Sequence, residues 1–408
     1  MDLFSQIIKA ILSSGFFLTV CLCSDLRAVP ERKNPEFYLL LTLSTLGMMI
    51  LVSSIDLIII YLALELSSYS LYILVPLNRD NVIQTEAGIK YFFMGTATSA
   101  VMLFGMALIY GSGGETHFPG IINTLAASPS SPMMIIGLLF AMTGFFFKLA
   151  LFPFHLWAPA VYQSTVNQAS AYIATVTKVA AAAMIIRLAG ICMHAEYITH
   201  FLIILAVTSM TLGNLAAMIQ KDFKRLLAYS AVAQAGYILV GIIAMGGRGF
   251  ASSMFYASAY MLMNYLCFIV AAKVSEDGKN IMISELAGLH SRSPLLALAV
   301  MMGVFSLGGI PPTIGFASKL LVFTAAMEKG YFFLVLIAMI NVAISLYYYA
   351  LVVKAAYFTR PETEKRNIEI SILLKILIWT IIAVVVIFGI YPTPLYSLFV
   401  SAAQLVAG

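Results

Sequence analysis

Glu65, Lys148, Lys178 and Lys319 each lie inside a run of apolar residues long enough to cross a membrane. An ionisable side chain at such depth costs a few kcal/mol or more, and marks an ion or proton path by default. One acid cannot neutralise three bases. At least two of the lysines therefore need water, a neutral state or a partner from another chain. Groups that exchange protons within oil are what a proton-conducting path requires. Glu65 sits near the centre of DLIIIYLALELSSYSLYIL. Lys148 lies five residues before Pro153 in FKLALFPFHLW and is the nearest candidate partner for Glu65. Lys178 is flanked by small residues in AYIATVTKVAAAAMII and is too central to snorkel to an interface. Lys319 follows SLGGIPPTIGFAS, and His155 follows Pro153 by two residues, placed to bridge the break toward Lys178. Four of the five have a structural alternative: a static Glu65–Lys148 ion pair or a neutral, hydrogen-bonded Glu65, an outward-snorkelling Lys319, a hydrogen-bonding His155.

The elements that must position these residues are membrane helices. The chain has 408 residues, 62% hydrophobic and 10% charged, with a net charge of +5. Soluble domains carry about 25% charged residues. Continuous apolar runs such as 57–61 and 384–388 lack the alternation of a β-barrel, so the fold class is an all-α polytopic membrane protein. A span needs about 20 apolar residues. Twelve are expected, over 4–23, 36–55, 56–76, 90–110, 132–157, 166–189, 197–218, 225–246, 251–272, 294–326, 331–357 and 373–392, followed by an apolar tail. The first lacks a signal-peptide cleavage pattern and is read as retained.

The basic residues are scattered over loops, without the patch that nucleic acid would need. Sixteen lie in loops after odd-numbered spans, among them Arg27, Arg79, Lys221, Lys224, Arg225, Lys279, Lys365 and Arg366; four lie on the other side, Lys9, Arg187, Arg248 and Lys329. Positive-inside asymmetry puts the odd loops in the cytoplasm and both termini outside. The cysteines, Cys21, Cys23, Cys192 and Cys267, read as small buried hydrophobes, and no metal site is expected.

Two spans are long and interrupted: the fifth at Pro153, the tenth at Pro311 and Pro312. Proline removes an intrahelical hydrogen bond, and the freed groups must be satisfied by protein or water. The breaks are five spans apart, so the two segments run in opposite directions. Paired interruptions of this kind point to inverted repeats around a transport site. The expected division is 1–35 (first helix and loop), 36–190 and 191–357 (two inverted five-helix units, each with a broken helix), and 358–408. Unrelated proline kinks are the alternative. In QKDFKRLLAYSAVAQAGYILVG, Lys224 begins a span and Ser230, Gln234 and Tyr237 run down one helical face. That is either a polar line for water or a set of interhelical contacts, and Lys224 is either part of it or an interfacial anchor.

EFYLLLTLSTLGMMILVSSIDLIIIYLALELSSYSLYIL, KYFFMGTATSAVMLFGMALIYG, FKLALFPFHLWAPAVYQ, IATVTKVAAA, QKDFKRLLAYSAVAQAGY and GIPPTIGFASK together cover most of the chain. They resemble the antiporter-like membrane subunits of proton-pumping NADH-quinone oxidoreductase (respiratory complex I), of the subunit N type, counterpart of mitochondrial NADH dehydrogenase subunit two. The wider family includes subunits of multisubunit sodium/proton antiporters. The resemblance implies a half-channel in each five-helix unit and a relay in which Glu65 is the acid of the first unit. Lys148 would be the lysine of the broken helix, Lys178 the central lysine and Lys319 the exit-side lysine. It also implies that flavin, iron–sulfur clusters and quinone are bound by other subunits, with no cofactor on this chain. Partners would be further antiporter-like membrane subunits, peripheral electron-transfer subunits and lipid of a bacterial cytoplasmic membrane. Relatives usually have fourteen spans, of which these twelve match the third onward. Gln234 stands where many carry His, and Ala160, Ser164, Thr165 and Val166 replace an Asp and a Gly-Ala-Pro run. The long lateral helix of subunit L is absent from this pattern. The competing readings are a subunit of a cation/proton antiporter without redox partners, and a membrane scaffold without its own proton path.

Overall fold

The computed structural model describes residues 2–26, 29–78, 81–127, 131–191, 196–275, 280–361 and 367–407. Cys192 and the loop cations Arg27, Arg79, Lys279, Lys365 and Arg366 lie outside the described residues. The chain forms α1 (Leu3–Leu22), α2 (Asn34–Ser53), α3 (Leu57–Leu74), α4 (Val82–Gly113) and a short α5 (Phe118–Ala127). A broken span follows as α6 (Pro132–Ala141), α7 (Thr143–Leu149) and α8 (Trp157–Ser164). Next come α9 (Asn167–Ile191), α10 (Glu196–Met218), α11 (Phe223–Ile243), α12 (Gly246–Val274) and a one-turn α13 (Leu289–Arg292). The second broken span is α14 (Pro294–Gly308) with α15 (Ile314–Glu328), and α16 (Phe332–Phe358), α17 (Ile372–Ile390) and α18 (Thr393–Ala407) complete the chain.

Among the described residues, 11 helical segments are long and apolar enough to cross a membrane, with α6 and α7 counted as one. The expected tenth span supplies the twelfth crossing as two 15-residue halves. The differences from expectation are local. α4 runs over 32 residues because Asn81 caps it well before the apolar stretch begins. α5 and α13 were not expected, being too short to leave a periodic signal. The apolar tail is helical, but its 15 residues fall short of a crossing.

Nearly every residue of α9, α11 and α12 is buried. Around them, α3, α4, α10, α16 and α17 turn large apolar side chains outward, including Leu62, Phe93, Ile204, Phe333 and Ile376. This is the pattern of a lipid-facing shell around a helical centre. Lipid is as apolar as these side chains, so close packing, not water exclusion, holds the centre together. The run Ala180–Ala183 on α9 is wholly buried, and small side chains there let backbones approach.

The helix ends sort onto two opposite faces. On one face, Arg187 at the end of α9 pairs with Asp2 at 2.8 Å, His117 with Asp56 at 2.7 Å, and Arg248 with Glu328 at 3.0 Å. On the other, Lys33 donates to the Leu77 carbonyl, Gln163 to Asp222, and the Gly288 N–H to the Thr359 carbonyl. Each face joins ends an even number of spans apart, as strict alternation of direction requires. α18 stays at the first face, where the Tyr396 hydroxyl reaches the Arg248 carbonyl.

Two matching devices stand at opposite faces. Asp56 caps α3, and the backbone beside it pairs with the segment after α4: the Leu57 N–H donates to Thr116 and the Phe118 N–H to Ile55. Asp222 caps α11, and its flanks pair with the segment after α12: Phe223 donates to Ile281 and Ile283 to Lys221. In both, a carboxylate at the helix start satisfies N–H groups that have no partner within the helix.

The pair at the first helix yields a pH prediction. Burial pushes the Asp2 carboxyl up, but the Ser5 N–H and the Arg187 guanidinium outweigh it and hold it below the usual aspartate range. A depressed carboxylate stabilises the fold above its unfolded value, about 3.9, and loses that contribution as pH falls through the folded value. Asp2→Asn should lower the melting temperature at pH 7 in detergent, and the gap to the parent protein should close on acidification toward pH 3.

Candidate functional site: buried charges and two helix breaks

Both breaks are built the same way. α7 ends on Ala150 in the left-handed conformation, φ 59°, with the Ala150 N–H bonded to Phe147 and the Leu151 N–H to Phe146. α14 ends on Gly309, φ 85°, with the Gly309 N–H bonded to Ser306 and the Ile310 N–H to Phe305. These are Schellman-type caps. Proline then prevents the helix from resuming at once: Phe152–Pro153 and Pro311–Pro312 are both cis, and the next helices begin at Trp157 and Ile314. All three prolines named from the sequence are at the breaks.

Breaking a helix leaves carbonyls that lack their N–H partners, at its partially negative end. Lysines take them. Lys178 donates to the Leu149 carbonyl at 2.6 Å. Lys319 donates to the carbonyls of Leu307 and Gly308 at 2.8 and 2.9 Å. Each amine also lies over an aromatic ring, Lys178 over Trp157 at 5.4 Å and Lys319 over Tyr237 at 5.1 Å. Lys319 therefore does not snorkel outward; it points back to the break. Glu65, Lys148, Lys178 and Lys319 are 7%, 2%, 1% and 4% exposed.

The expected direct contact between Glu65 and Lys148 is not made. Lys148 donates to the hydroxyls of Ser67 and Ser68 at 2.9 and 3.0 Å. Glu65 instead takes the Ser99 hydroxyl on Oε1, while Oε2 has no hydrogen-bond partner among the described residues. Ser68 stands one turn beyond Glu65 on the same face of α3, so the hydroxyls reach the amine where the acid does not. The two charges remain electrostatic neighbours.

His155 is buried in the first break against Phe152, near Lys178, with Nδ1 lacking a protein partner among the described residues. Lys224 is fully buried and donates to the Thr165 carbonyl at 2.9 Å, which removes the interfacial-anchor reading. Ser230, Gln234 and Tyr237 share a buried face of α11, as their spacing predicts. Gln234 donates to the same Leu307 carbonyl that holds Lys319, at 3.0 Å, and accepts the Tyr256 hydroxyl at 2.5 Å. The Tyr237 hydroxyl meets Asn214, which also accepts the Tyr348 hydroxyl.

Sequence reasoning missed Ser99, Trp157, Tyr256, Tyr348 and Asn214. Serines 67 and 68 stood in plain view beside Glu65 in ELSSYS. The others come from distant segments, and no spacing rule links them to the charges.

Gly309 carries a prediction. A Cβ there would stand 2.8 Å from Cδ of Lys319, and the positive φ disfavours any other residue. Gly309→Ala should cost about 1–2 kcal/mol through the backbone alone and push the amine off its carbonyls. A lowered melting temperature together with impaired proton movement is the expected result, read by thermal unfolding and by proton uptake into vesicles.

A bundle with paired proline breaks and lysines seated in them defines a class: antiporter-like membrane subunits. Residues 54–345 match the family model described as "NADH:quinone oxidoreductase/Mrp antiporter, TM", and the chain belongs to that family. More particularly, it is 50% identical to NADH-quinone oxidoreductase subunit N 2 of Syntrophobacter fumaroxidans, over 99% of this chain and 86% of that protein. The subunit N 2 of Opitutus terrae is 41% identical, over 96% and 83%. Among solved structures, a chain of respiratory complex I from Thermus thermophilus superposes with a TM-score of 0.85 at 32% identity, covering 97% of this chain and 86% of that one. A chain of the Mrp complex from Dietzia shares the fold, with a TM-score of 0.89 at 21% identity, over 100% and 84%.

Proposed function

We propose that this chain is a proton-translocating membrane subunit of an NADH-quinone oxidoreductase of the complex I type. The observation that carries the reading is the placement of buried amines on the open carbonyls of two helix breaks, in a bundle that also buries an acid. Redox energy would come from other subunits, which would hold the flavin, iron–sulfur clusters and quinone. Its partners would be those peripheral subunits and further antiporter-like membrane subunits.

The relay would run from Glu65 and Lys148 through Lys178, with His155 beside it, to Lys319. Lys148 and Glu65 stand apart on separate serine hydroxyls, and bringing them together or releasing them would be the switch. Two unit charges about 4 Å apart at an effective dielectric near 20 interact by roughly 4 kcal/mol, about a thousandfold in a proton-binding equilibrium. Joining or parting the pair would be the event that sets whether Lys178 captures or expels its proton. Lys224, Ser230, Gln234 and Tyr237 would line the second half-channel.

The relay would be housed in two inverted five-helix units, 36–190 and 191–357. The matched caps at Ala150 and Gly309 support this, as do the matched pairings at Asp56 and Asp222 on opposite faces. The excess of loop cations on one face favours a bacterial cytoplasmic membrane with both termini outside.

The test is purification in mild detergent, followed by mass spectrometry of the associated chains and reconstitution into vesicles. Co-purifying iron–sulfur and flavin subunits, with NADH-driven proton uptake, are expected. Recovery with hydrophobic antiporter subunits alone, and sodium/proton exchange without electron transfer, would replace this reading with the cation antiporter.

A further inference from the structure

A serine that holds Lys148 is itself held from α2, a helix that carries none of the four deep charges. Ser67 accepts from the Lys148 amine at 2.9 Å, and its oxygen lies 3.1 Å from the Ser44 hydroxyl of α2. Gly47 is what lets α2 come this close. A Cβ there would stand 2.7 Å from the Ser67 nitrogen and 2.9 Å from the Ala63 carbonyl oxygen. Ser44 lies one turn before Gly47, on the same face of the helix. Thr45, beside Ser44, meets the Tyr172 hydroxyl of α9 at 2.6 Å, and Ser44 is itself a side-chain hydrogen-bond neighbour of Tyr172. Ser44, Thr45, Ser67 and Tyr172 are all buried.

The hydrogens in this series have an order. An ammonium only donates, so a serine that accepts from it must send its own hydroxyl hydrogen elsewhere. For Ser67 the side-chain acceptor is Ser44. At the far end, Thr45 gives its hydrogen to the Leu41 carbonyl at 2.9 Å, so Tyr172 is the donor where the two hydroxyls meet. Each hydrogen then points away from the amine, from Ser67 to Ser44, to Tyr172, to Thr45. Hydrogen bonds aligned in this way polarise and strengthen one another. A neutral amine has a lone pair to offer and does not require the order.

We propose that Ser44 and Tyr172 are positioning residues for Lys148: they orient Ser67 so that the amine is held charged on the serines of α3, apart from Glu65. The inference rests on the proton-translocating reading given above. The titratable groups around this segment of α7 are Glu65 and Tyr72 of α3, Tyr91 of α4, stacked on Phe147, and Lys178 of α9, which holds the adjacent Leu149 carbonyl. Tyr172 reaches the amine only through the serines.

The experiment uses the whole complex in vesicles, with proton uptake and quinone reduction read separately from neutral to alkaline pH. Ser44→Ala, Ser44→Cys, Tyr172→Phe and the double variant Ser44→Ala with Tyr172→Phe are compared with Lys178→Ala. Without Ser44 the charged amine is harder to keep as pH rises. The alkaline limit of proton uptake in Ser44→Ala should therefore move to lower pH by about one pH unit, tenfold in a proton-binding equilibrium. Tyr172→Phe should move it less, and the double variant no further than Ser44→Ala, since both act on one series. Ser44→Cys keeps a weaker donor and acceptor of similar size, so it should recover part of the shift. An unchanged pH profile in Ser44→Ala overturns the proposal. So does a loss that is equal at every pH and tracks a lowered melting temperature, which is what a merely structural contact gives. If Ser44→Ala does not assemble, Tyr172→Phe, which keeps the ring, decides by the same profile. If Lys178→Ala blocks uptake while the profiles stay unshifted, this inference alone fails. If Lys178→Ala pumps normally, the relay fails and the inference with it.

Discussion

Lys178→Ala is expected to abolish proton pumping while the assembled complex still transfers electrons. Lys178 is the one deep amine on α9, a helix buried along nearly its whole length, and it donates to the Leu149 carbonyl at the first break. Removing it takes away the amine at that point, and neither Leu149 nor Trp157 can carry a proton in its place. The packing loss is tempered by the small side chains around it. The measurement is the ratio of protons taken up to electrons passed in vesicles, beside the quinone reduction rate in leaky ones. Full proton-to-electron coupling in this variant refutes the relay. Lys178→Arg tests the chemistry more finely. It keeps the charge but cannot release its proton, so it should fold and assemble yet still fail to pump.

Glu65→Gln should have the second-largest effect. The glutamine keeps the shape and can still accept from Ser99, but it has no charge to offer Lys148. If about 4 kcal/mol of switching energy resides in that pair, its loss should slow pumping by a hundredfold or more, and Glu65→Asp should restore part of it. Ser99→Ala is the milder companion, since it removes one hydrogen bond to the acid, about 0.5–1.5 kcal/mol. A scaffold without its own proton path makes the opposite forecast: once assembly is verified, neutralising Glu65, Lys148, Lys178 and Lys319 together would leave pumping at the parental level.

Much of this was legible in the chain. The twelve crossings followed from length and apolarity alone, because lipid leaves a backbone few ways to satisfy its own hydrogen bonds. The breaks followed from Pro153, Pro311 and Pro312, and the charges announced themselves by their cost. Lys224 was not legible. Beside Lys221 and Arg225 it looks like an interfacial anchor, and only the folded chain buries it under Thr165. The Glu65–Lys148 contact was expected because opposite charges in oil attract, but serines one turn away on α3 compete for the amine.

By itself, then, the sequence determined which residues are charged at membrane depth, where the helices must stop, and the alternation that sends one break up and the other down. Those are consequences of local chemistry: side-chain solvation, proline's missing N–H, and the length of a hydrophobic run. Only the tertiary structure decided what each charge touches. It gave the open carbonyls of Leu149 and Leu307 to lysines from other helices, and it brought Gln234 and Tyr256 to the same site. Such contacts join residues tens of positions apart, and they are set by how rigid helices pack against one another, which no periodicity within a single segment records.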